Sequence, residues 1–240
     1  MGATPWKFES SSGHQWFCMR NYCIEQLDNQ FMTKIRNKKL TASSKKWLAR
    51  QMNDPYVARA RQEGYRSRAA YKLLEIQDKF TIFDKNSVVL DLGAAPGGWS
   101  QVASEIVKRV VALDLLEMPS LPNVEFMQGD FMNENDIQTL IQLLHNEKVD
   151  VILSDMAPNT CGIKQVDHLR IICLLESVYD FCQITLKPGG ILVSKVFQGG
   201  SCTELLAKMK QHFTCIKHFK PQSSRKESPE TYIVARNYHA

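Results

Sequence analysis

The chain has 240 residues, a formal net charge of +5 from 30 Lys+Arg against 25 Asp+Glu, and 44% hydrophobic residues. These values exclude a wholly disordered or collagen-like polymer, and the length suits one α/β domain with an extension, or two small domains. No apolar run approaches the ~20 residues of a membrane helix, so a soluble protein with no membrane partner is expected.

Residues 1–31 carry no clear hydrophobic period and no basic segment followed by an apolar one. They contain Glu9 and Glu25 and few arginines, so neither a secretory nor a mitochondrial leader is expected. They read as a disordered extension, with Met32 as an alternative start. A basic arm follows over 32–64. From Thr33 to Lys72 twelve basic residues (Lys34, Arg36, Lys38, Lys39, Lys45, Lys46, Arg50, Arg59, Arg61, Arg66, Arg68 and Lys72) face only Asp54 and Glu63, a net +10 that leaves −5 for the rest. A basic arm beside an acidic body points to a polyanion on one face, most simply nucleic acid. Trp47, Tyr56, Tyr65 and Tyr71 are interleaved with it. They can stack on bases or riboses, or pack inward behind a solvated basic helix.

Ser44 can cap a helix over Lys45–Met52, and Asn53-Asp54-Pro55 is a turn signal. Arg66–Lys79 has helical spacing, with Ala70, Leu73, Leu74 and Gln77 recurring. The pattern then alternates. Ser87–Leu92 reads as a strand ending in Gly93-Ala94-Ala95-Pro96-Gly97-Gly98, and Trp99–Val107 as a helix. Arg109–Asp114 is a second strand and Val124–Met127 a third, before Gly129-Asp130. Ile137–His145 is a helix and Val149–Asp155 a fourth strand. A long helix over Asp167–Leu186 places Leu169, Ile172, Leu175, Val178 and Cys182 on one face, and Lys187-Pro188-Gly189-Gly190 ends it. Ile191–Phe197 is a fifth strand. A helix over Thr203–Phe213 and strands near Thr214–Phe219 and Thr231–Ala235 complete the body. Alternating apolar strands and helices mean a mostly parallel sheet with helices on both faces. Seven cysteines (Cys18, Cys23, Cys161, Cys173, Cys182, Cys202 and Cys215) form no C-x-x-C pair. No metal site or disulfide framework is expected from them.

Ligands of such sheets bind at the carboxyl ends of the strands. Asp91, Asp114, Asp130, Asp155 and Lys195 all lie at or just beyond strand ends, too many charges for scaffolding. The loop after the first strand lacks the G-x-G-x-x-G spacing of pyrophosphate sites. Asp91 ahead of it would repel a pyrophosphate, but suits a ligand bearing an amine and a sulfonium. Asp114, 23 residues on, can take two ribose hydroxyls. Asp130 can accept from an adenine amino group. The set D-x-G-x-x-x-G, a strand-end acid and a third acid describe S-adenosylmethionine.

Five motifs carry a resemblance. They are Arg66-Ser67-Arg68-Ala69-Ala70-Tyr71-Lys72-Leu73, the run from Asp91 to Gln101, Ser154-Asp155-Met156-Ala157-Pro158-Asn159, Lys195-Val196-Phe197-Gln198-Gly199, and the run from Ser223 to Tyr232. Through them the chain resembles the FtsJ/RrmJ (RlmE) family of ribosomal RNA methyltransferases, from about Ser43 to Ala240; residues 1–31 match nothing in it. The resemblance implies an α/β, Rossmann-like S-adenosylmethionine-dependent methyltransferase fold with a seven-stranded sheet over 65–240. It implies methylation of the ribose 2′-hydroxyl of a uridine in the A-loop of large-subunit rRNA, in the peptidyl transferase centre. The family's catalytic Lys-Asp-Lys-Glu set falls on Lys72, Asp155, Lys195 and Glu230, and its cofactor contacts on Gly97, Trp99, Asp114, Asp130 and Asp155.

A ribose hydroxyl is a poor nucleophile until it loses its proton, so positioning and proton removal are the tasks. Lys195 can take that proton or only orient the hydroxyl. Burial and the neighbouring cation Lys72 favour an uncharged amine, whereas Asp155 and Glu230 favour the ammonium. A non-catalytic RNA-binding factor, and a tRNA or mRNA-cap 2′-O-methyltransferase, are the rival readings. Four intact catalytic positions argue against the first, and the short basic arm favours rRNA over the second. Large-subunit rRNA or the assembled subunit is the expected partner of a monomer in the cytoplasm, with the mitochondrial matrix as the alternative.

Overall fold

In the computed structural model, residues 41–159, 161–198 and 203–239 are described. The extension over 1–31, the arm through residue 40, Gly199, and the thiols Cys18, Cys23 and Cys202 lie outside them. Seven strands form one sheet: β1 (Val88–Leu92), β2 (Arg109–Asp114), β3 (Val124–Gln128), β4 (Val149–Ser154), β5 (Leu186–Phe197), β6 (Phe213–Phe219) and β7 (Glu230–Tyr238). Their order is β3-β2-β1-β4-β5-β7-β6. All pairs from β3 to β5 are parallel, and β7 runs antiparallel to both β5 and β6. The sheet is therefore mostly parallel, as expected, with a mixed edge.

Seven helices are described: α1 (Ala42–Met52), α2 (Pro55–Gln62), α3 (Ala69–Phe80), α4 (Gly98–Ser104), α5 (Glu134–Leu143), α6 (Lys164–Thr185) and α7 (Thr203–Met209). Because strand side chains alternate, the sheet divides its apolar residues between two cores. Val89, Val110, Val151, Leu153, Val193, Tyr232 and Val234 meet Leu73 and Ile76 of α3 and Val102 of α4. Leu90, Val111, Ile152, Leu192 and Ile233 point the other way, onto Leu140 of α5, Leu175 and Val178 of α6, and Leu205 of α7. Every position of β1 is buried as a result. Leu73 and Ile76 are fully buried, and burial of each such side chain contributes roughly 1.5–3 kcal/mol.

Several boundaries differ from the sequence reading. Helix α1 begins at Ala42, so Ser44 lies inside it and does not stand at its start. The Asn53-Asp54-Pro55 turn also starts a helix: Asp54 accepts from the Tyr56 N–H at 3.1 Å, and Pro55 opens α2. Lys187-Pro188-Gly189-Gly190 does not separate helix from strand. It forms the irregular start of β5, with a register shift against β4 between Val149 and Val151 and with Gly189 at φ +82°. On α6 the buried stripe runs through Ile171, Leu175, Val178 and Cys182, whereas Leu169 is 64% exposed. At ~100° per residue, Leu169 sits about 120° around the helix from Leu175.

Candidate active site

The chain leaves β1 toward β2 on one side and β4 toward β5 on the other, so the neighbours β1 and β4 form the switch point of the sheet. At their carboxyl ends opens a small cleft lined by Ser67, Gly93, Ala94, Pro96, Gly98 and Asp155, among others. The side-chain period puts Asp91 on the same face as Val89, the face covered by α3 and α4.

Asp91 is fully buried. Its Oδ2 accepts from the Ser100 hydroxyl at 2.6 Å, while its Oδ1 has no hydrogen-bond partner among the described residues. Burial pushes this carboxyl up to about 7, and the negative charges of Asp155 and Asp114 add to the push. A buried acceptor without a protein donor costs stability. It fits a ligand that brings a cationic amine into the cleft, as S-adenosylmethionine would.

Asp114 stands at the end of β2. Its Oδ2 accepts from the Ala95 N–H and its Oδ1 from the Leu116 N–H, both at 2.8 Å. Burial raises this carboxyl, and the backbone bonds offset part of the rise. One lone pair remains on each oxygen, enough for two hydroxyl donors. Asp130 accepts from the Met132 N–H at 2.8 Å through Oδ1, and its own N–H donates to Asp136.

Gly97 caps α4 at φ +100°, a left-handed conformation that favours glycine. A Cβ there would meet Met118 Sδ at 2.8 Å and Arg66 Nη1 at 2.9 Å. Trp99 lines the cleft, but its indole is committed to the core. Its Nε1 donates to the Ala69 carbonyl at 2.8 Å, and its ring lies 5.5 Å from that of Tyr232.

Lys72, Asp155, Lys195 and Glu230 come together from α3, the end of β4, β5 and β7. Lys195 Nζ lies 2.8 Å from Asp155 Oδ1, 2.5 Å from the Asp155 carbonyl and 4.0 Å from Glu230 Oε2. Lys72 Nζ lies 2.7 Å from Glu230 Oε1. Both lysines are buried. Burial alone would raise the Asp155 carboxyl. Lys195 and Lys72, with hydrogen bonds from Lys195 and Tyr232, outweigh it and hold the group below the usual carboxylate range. Two cations against two anions leave this buried cluster close to neutral, which limits its desolvation cost.

Tyr232 belongs to this cluster although sequence reasoning gave it no role. It pairs directly with Lys195 across the β5–β7 ladder. Its hydroxyl donates to Asp155 Oδ1 at 2.6 Å and accepts from Lys72 at 3.2 Å. Burial, with the nearby carboxylates of Asp155 and Glu230, pushes the phenol well above its usual value, so it stays a donor. Its place two residues after Glu230, on the same strand face, is the signal that could have found it.

The basic arm divides into two kinds of arginine. Arg50 and Arg61 are exposed. Arg66 is spent on three carbonyls, those of Pro119 at 2.6 Å, Ser120 at 2.7 Å and Pro96 at 3.3 Å. Arg68 pairs with Asp54 and donates to the Ser223 carbonyl. The three tyrosines pack on one another, the Trp47 side chain lying outside the described residues: Tyr71 lies 5.4 Å from Tyr56 and 5.6 Å from Tyr65, and its hydroxyl donates to Glu63. Tyr71 is thereby unavailable for stacking on a base.

Comparison with known proteins gives the family. The pattern of the FtsJ-like methyltransferase family matches residues 65–238. "Ribosomal RNA large subunit methyltransferase E" of Rickettsia felis is 51% identical over 217 residues, covering 87% of this chain and 95% of its own. The protein of the same name from Rickettsia bellii is 52% identical over the same coverage. A crystal structure from Plasmodium falciparum, assigned as a ribosomal RNA methyltransferase, shares 34% identity and a TM-score of 0.65 over 72% of this chain and 98% of its own. With a match that covers most of its length and relatives near half identity, this chain belongs to the FtsJ-like methyltransferase family.

Proposed function

We propose that the protein methylates the ribose 2′-hydroxyl of a uridine in large-subunit rRNA, in the A-loop of the peptidyl transferase centre, using S-adenosylmethionine. In this reading residues 65–240 are the catalytic domain and residues 32–64 a basic arm for RNA. The protein acts as a monomer in the cytoplasm, on rRNA or on the assembled subunit. The observation that carries the reading is the buried Lys195–Asp155 pair, with Lys72–Glu230 beside it, where Asp155 lines the cleft at the carboxyl ends of β1 and β4. The names of the Rickettsia relatives support the rRNA substrate.

When bound, S-adenosylmethionine supplies a methyl group already electrophilic on its sulfonium. Asp91 Oδ1 takes the amine, the Asp114 carboxylate takes the ribose hydroxyls, and Asp130 takes the adenine amino group. Gly97 lets the loop close against Met118 and Arg66, and Trp99 anchors the start of α4. Asp155 sits between this cleft and the lysines. Lys195 holds the substrate hydroxyl and, once its ammonium has given up a proton to solvent, accepts the hydroxyl proton on the free amine. Lys72, Glu230 and Tyr232 fix the position of Lys195 and Asp155. Placing the hydroxyl and methyl in line supplies much of the acceleration, and proton removal adds ~10²–10⁴-fold.

The test incubates the protein with labelled S-adenosylmethionine and separate samples of large-subunit rRNA, ribosomal subunits, tRNA and capped RNA, then maps the methylated nucleotide. Label on one A-loop uridine ribose is the expected result. Label confined to tRNA or to the cap, or cofactor binding without transfer to any RNA, overturns the reading.

A further inference from the structure

Segment 221–228 contributes no strand to the sheet, yet it touches the reacting group. The Ser224 hydroxyl donates to Glu230 Oε1 at 2.9 Å, the same oxygen that meets Lys72. The segment is held from three sides. Glu75 of α3 accepts the N–H groups of Gln222 and of Ser223, the latter at 2.8 Å. Arg68 donates to the Ser223 carbonyl. Arg225 reaches back to the arm, with Nη2 at 3.1 Å and Nε at 3.2 Å from Asp54 Oδ2.

Asp54 is the hub of this arrangement. Its Oδ1 caps α2, and its buried Oδ2 faces the guanidinium groups of both Arg68 and Arg225. One carboxylate thus holds two cations together. Burial pushes the Arg68 guanidinium down and Arg225 adds to that push, while Asp54 opposes it. Without the Asp54 charge the two cations repel, and the segment bearing Ser224 loses its tie to the arm.

We infer that Asp54 is a positioning residue for the methyl-transfer site: through Arg68 and Arg225 it seats segment 221–228, and through Ser224 it fixes the Glu230 carboxylate against Lys72. The inference rests on the reading above, in which Glu230 belongs to the reacting group. The arm is then part of the device that sets the geometry of the tetrad, in addition to being a handle for RNA.

Asp54→Asn keeps the cap oxygen and removes the charge. The expected result is a roughly 10–100-fold fall in the single-turnover rate, as for a small misplacement at the chemistry. S-adenosylmethionine affinity stays within about twofold, and the 13C resonance of the Glu230 carboxyl carbon moves. In a Glu230→Gln background the same substitution adds at most about a twofold loss, because its effect passes through Glu230. A merely structural role predicts the same loss in both backgrounds, and that result overturns the inference, as does an unmoved Glu230 resonance in the folded variant. If Asp54→Asn does not fold, Arg225→Gln, whose side chain is 27% exposed, takes its place in the same cycle with the same criteria. A wild-type protein that transfers no methyl group to RNA sinks the functional reading by itself. The Glu230 resonance then still decides whether Asp54 seats that carboxylate.

Discussion

The hydroxyl of Tyr232 donates to Asp155 Oδ1 over 2.6 Å, and on its other side accepts from Lys72. One phenol thus joins the two ion pairs of the site, Lys72–Glu230 and Lys195–Asp155, into a single cluster. Its ring packs against Trp99, so Tyr232→Phe deletes the link and leaves the packing. A hydrogen bond to a charged partner is worth about 1.5–3 kcal/mol. The variant is expected to unfold at lower denaturant and to lose about tenfold in single-turnover rate, with cofactor affinity kept. Unchanged turnover in the folded variant would confine Tyr232 to a stabilising role.

Lys195 is tested by paired substitutions. Lys195→Ala is expected to keep the fold and cofactor binding and to lose ~10²–10⁴-fold in single-turnover rate. Lys195→Arg does not restore it, because a guanidinium cannot accept the hydroxyl proton. Near-full activity with Arg at 195 would replace the base role by an orienting one.

Asp114 would have two duties, since its oxygens already hold the Ala95 and Leu116 N–H groups and are proposed to take the cofactor's ribose hydroxyls as well. Asp114→Ala is therefore expected to weaken S-adenosylmethionine binding by about 1.5–3 kcal/mol and also to lower the melting temperature. Calorimetry that finds the affinity intact would remove Asp114 from the cofactor site.

As the proposed acceptor of the cofactor amine, Asp91 is expected to make cofactor binding pH-dependent. Its carboxyl is raised to about 7 by burial, so below that pH it is protonated and cannot pair with a cationic amine. Affinity is expected to fall as pH drops from about 8 to about 6, approaching tenfold per unit at the acid end. Asp91→Asn should bind weakly with a flatter profile. In the ligand-free protein the sign is opposite for folding: the stability contributed by the bound proton is full below the ordinary aspartate range and is lost as pH rises through about 7. A flat wild-type binding profile would exclude Asp91 as the amine acceptor.

The arm separates charge from clamp. Arg50→Gln with Arg61→Gln removes exposed cations and should reduce the log–log salt slope of RNA binding by ~0.7–0.9 per lost phosphate contact, with no change in melting temperature. Arg66→Gln frees the carbonyls of Pro96, Pro119 and Ser120 from the guanidinium. It should lower the melting temperature and cofactor affinity while leaving the salt slope in place. Equal slopes for wild type and the Arg50/Arg61 variant would show that those two residues touch no phosphate.

Most of the sheet was legible because buried parallel strands are short apolar runs between helices, and Arg109–Asp114 matched to the residue. Helix α2 escaped because eight residues carry little periodicity, although Asp54-Pro55 is a cap followed by a first-turn proline. The antiparallel course of β7 was not legible, since strand direction is set by partners distant in sequence. At the site, the motifs brought Lys72, Asp155, Lys195 and Glu230 to one place. Charge counting misjudged Arg66 and Arg68, because a composition sum cannot tell a guanidinium facing solvent from one closed on carbonyls and a carboxylate.

The placing of β7 between β5 and β6 has a consequence for synthesis. Strands β1 to β5 and their helices can assemble in the order in which they are made. Glu230 and Tyr232 arrive on a strand made after β6 yet lying inside it, so β6 reaches its final neighbour only when β7 has inserted. A nascent chain that ends before residue 230 can form the cleft at the ends of β1 and β4 but lacks Glu230 and Tyr232, two of the five groups of the buried cluster. Under the proposed function, an incomplete chain that already carries the basic arm is expected to transfer no methyl group even when most of its sheet is folded.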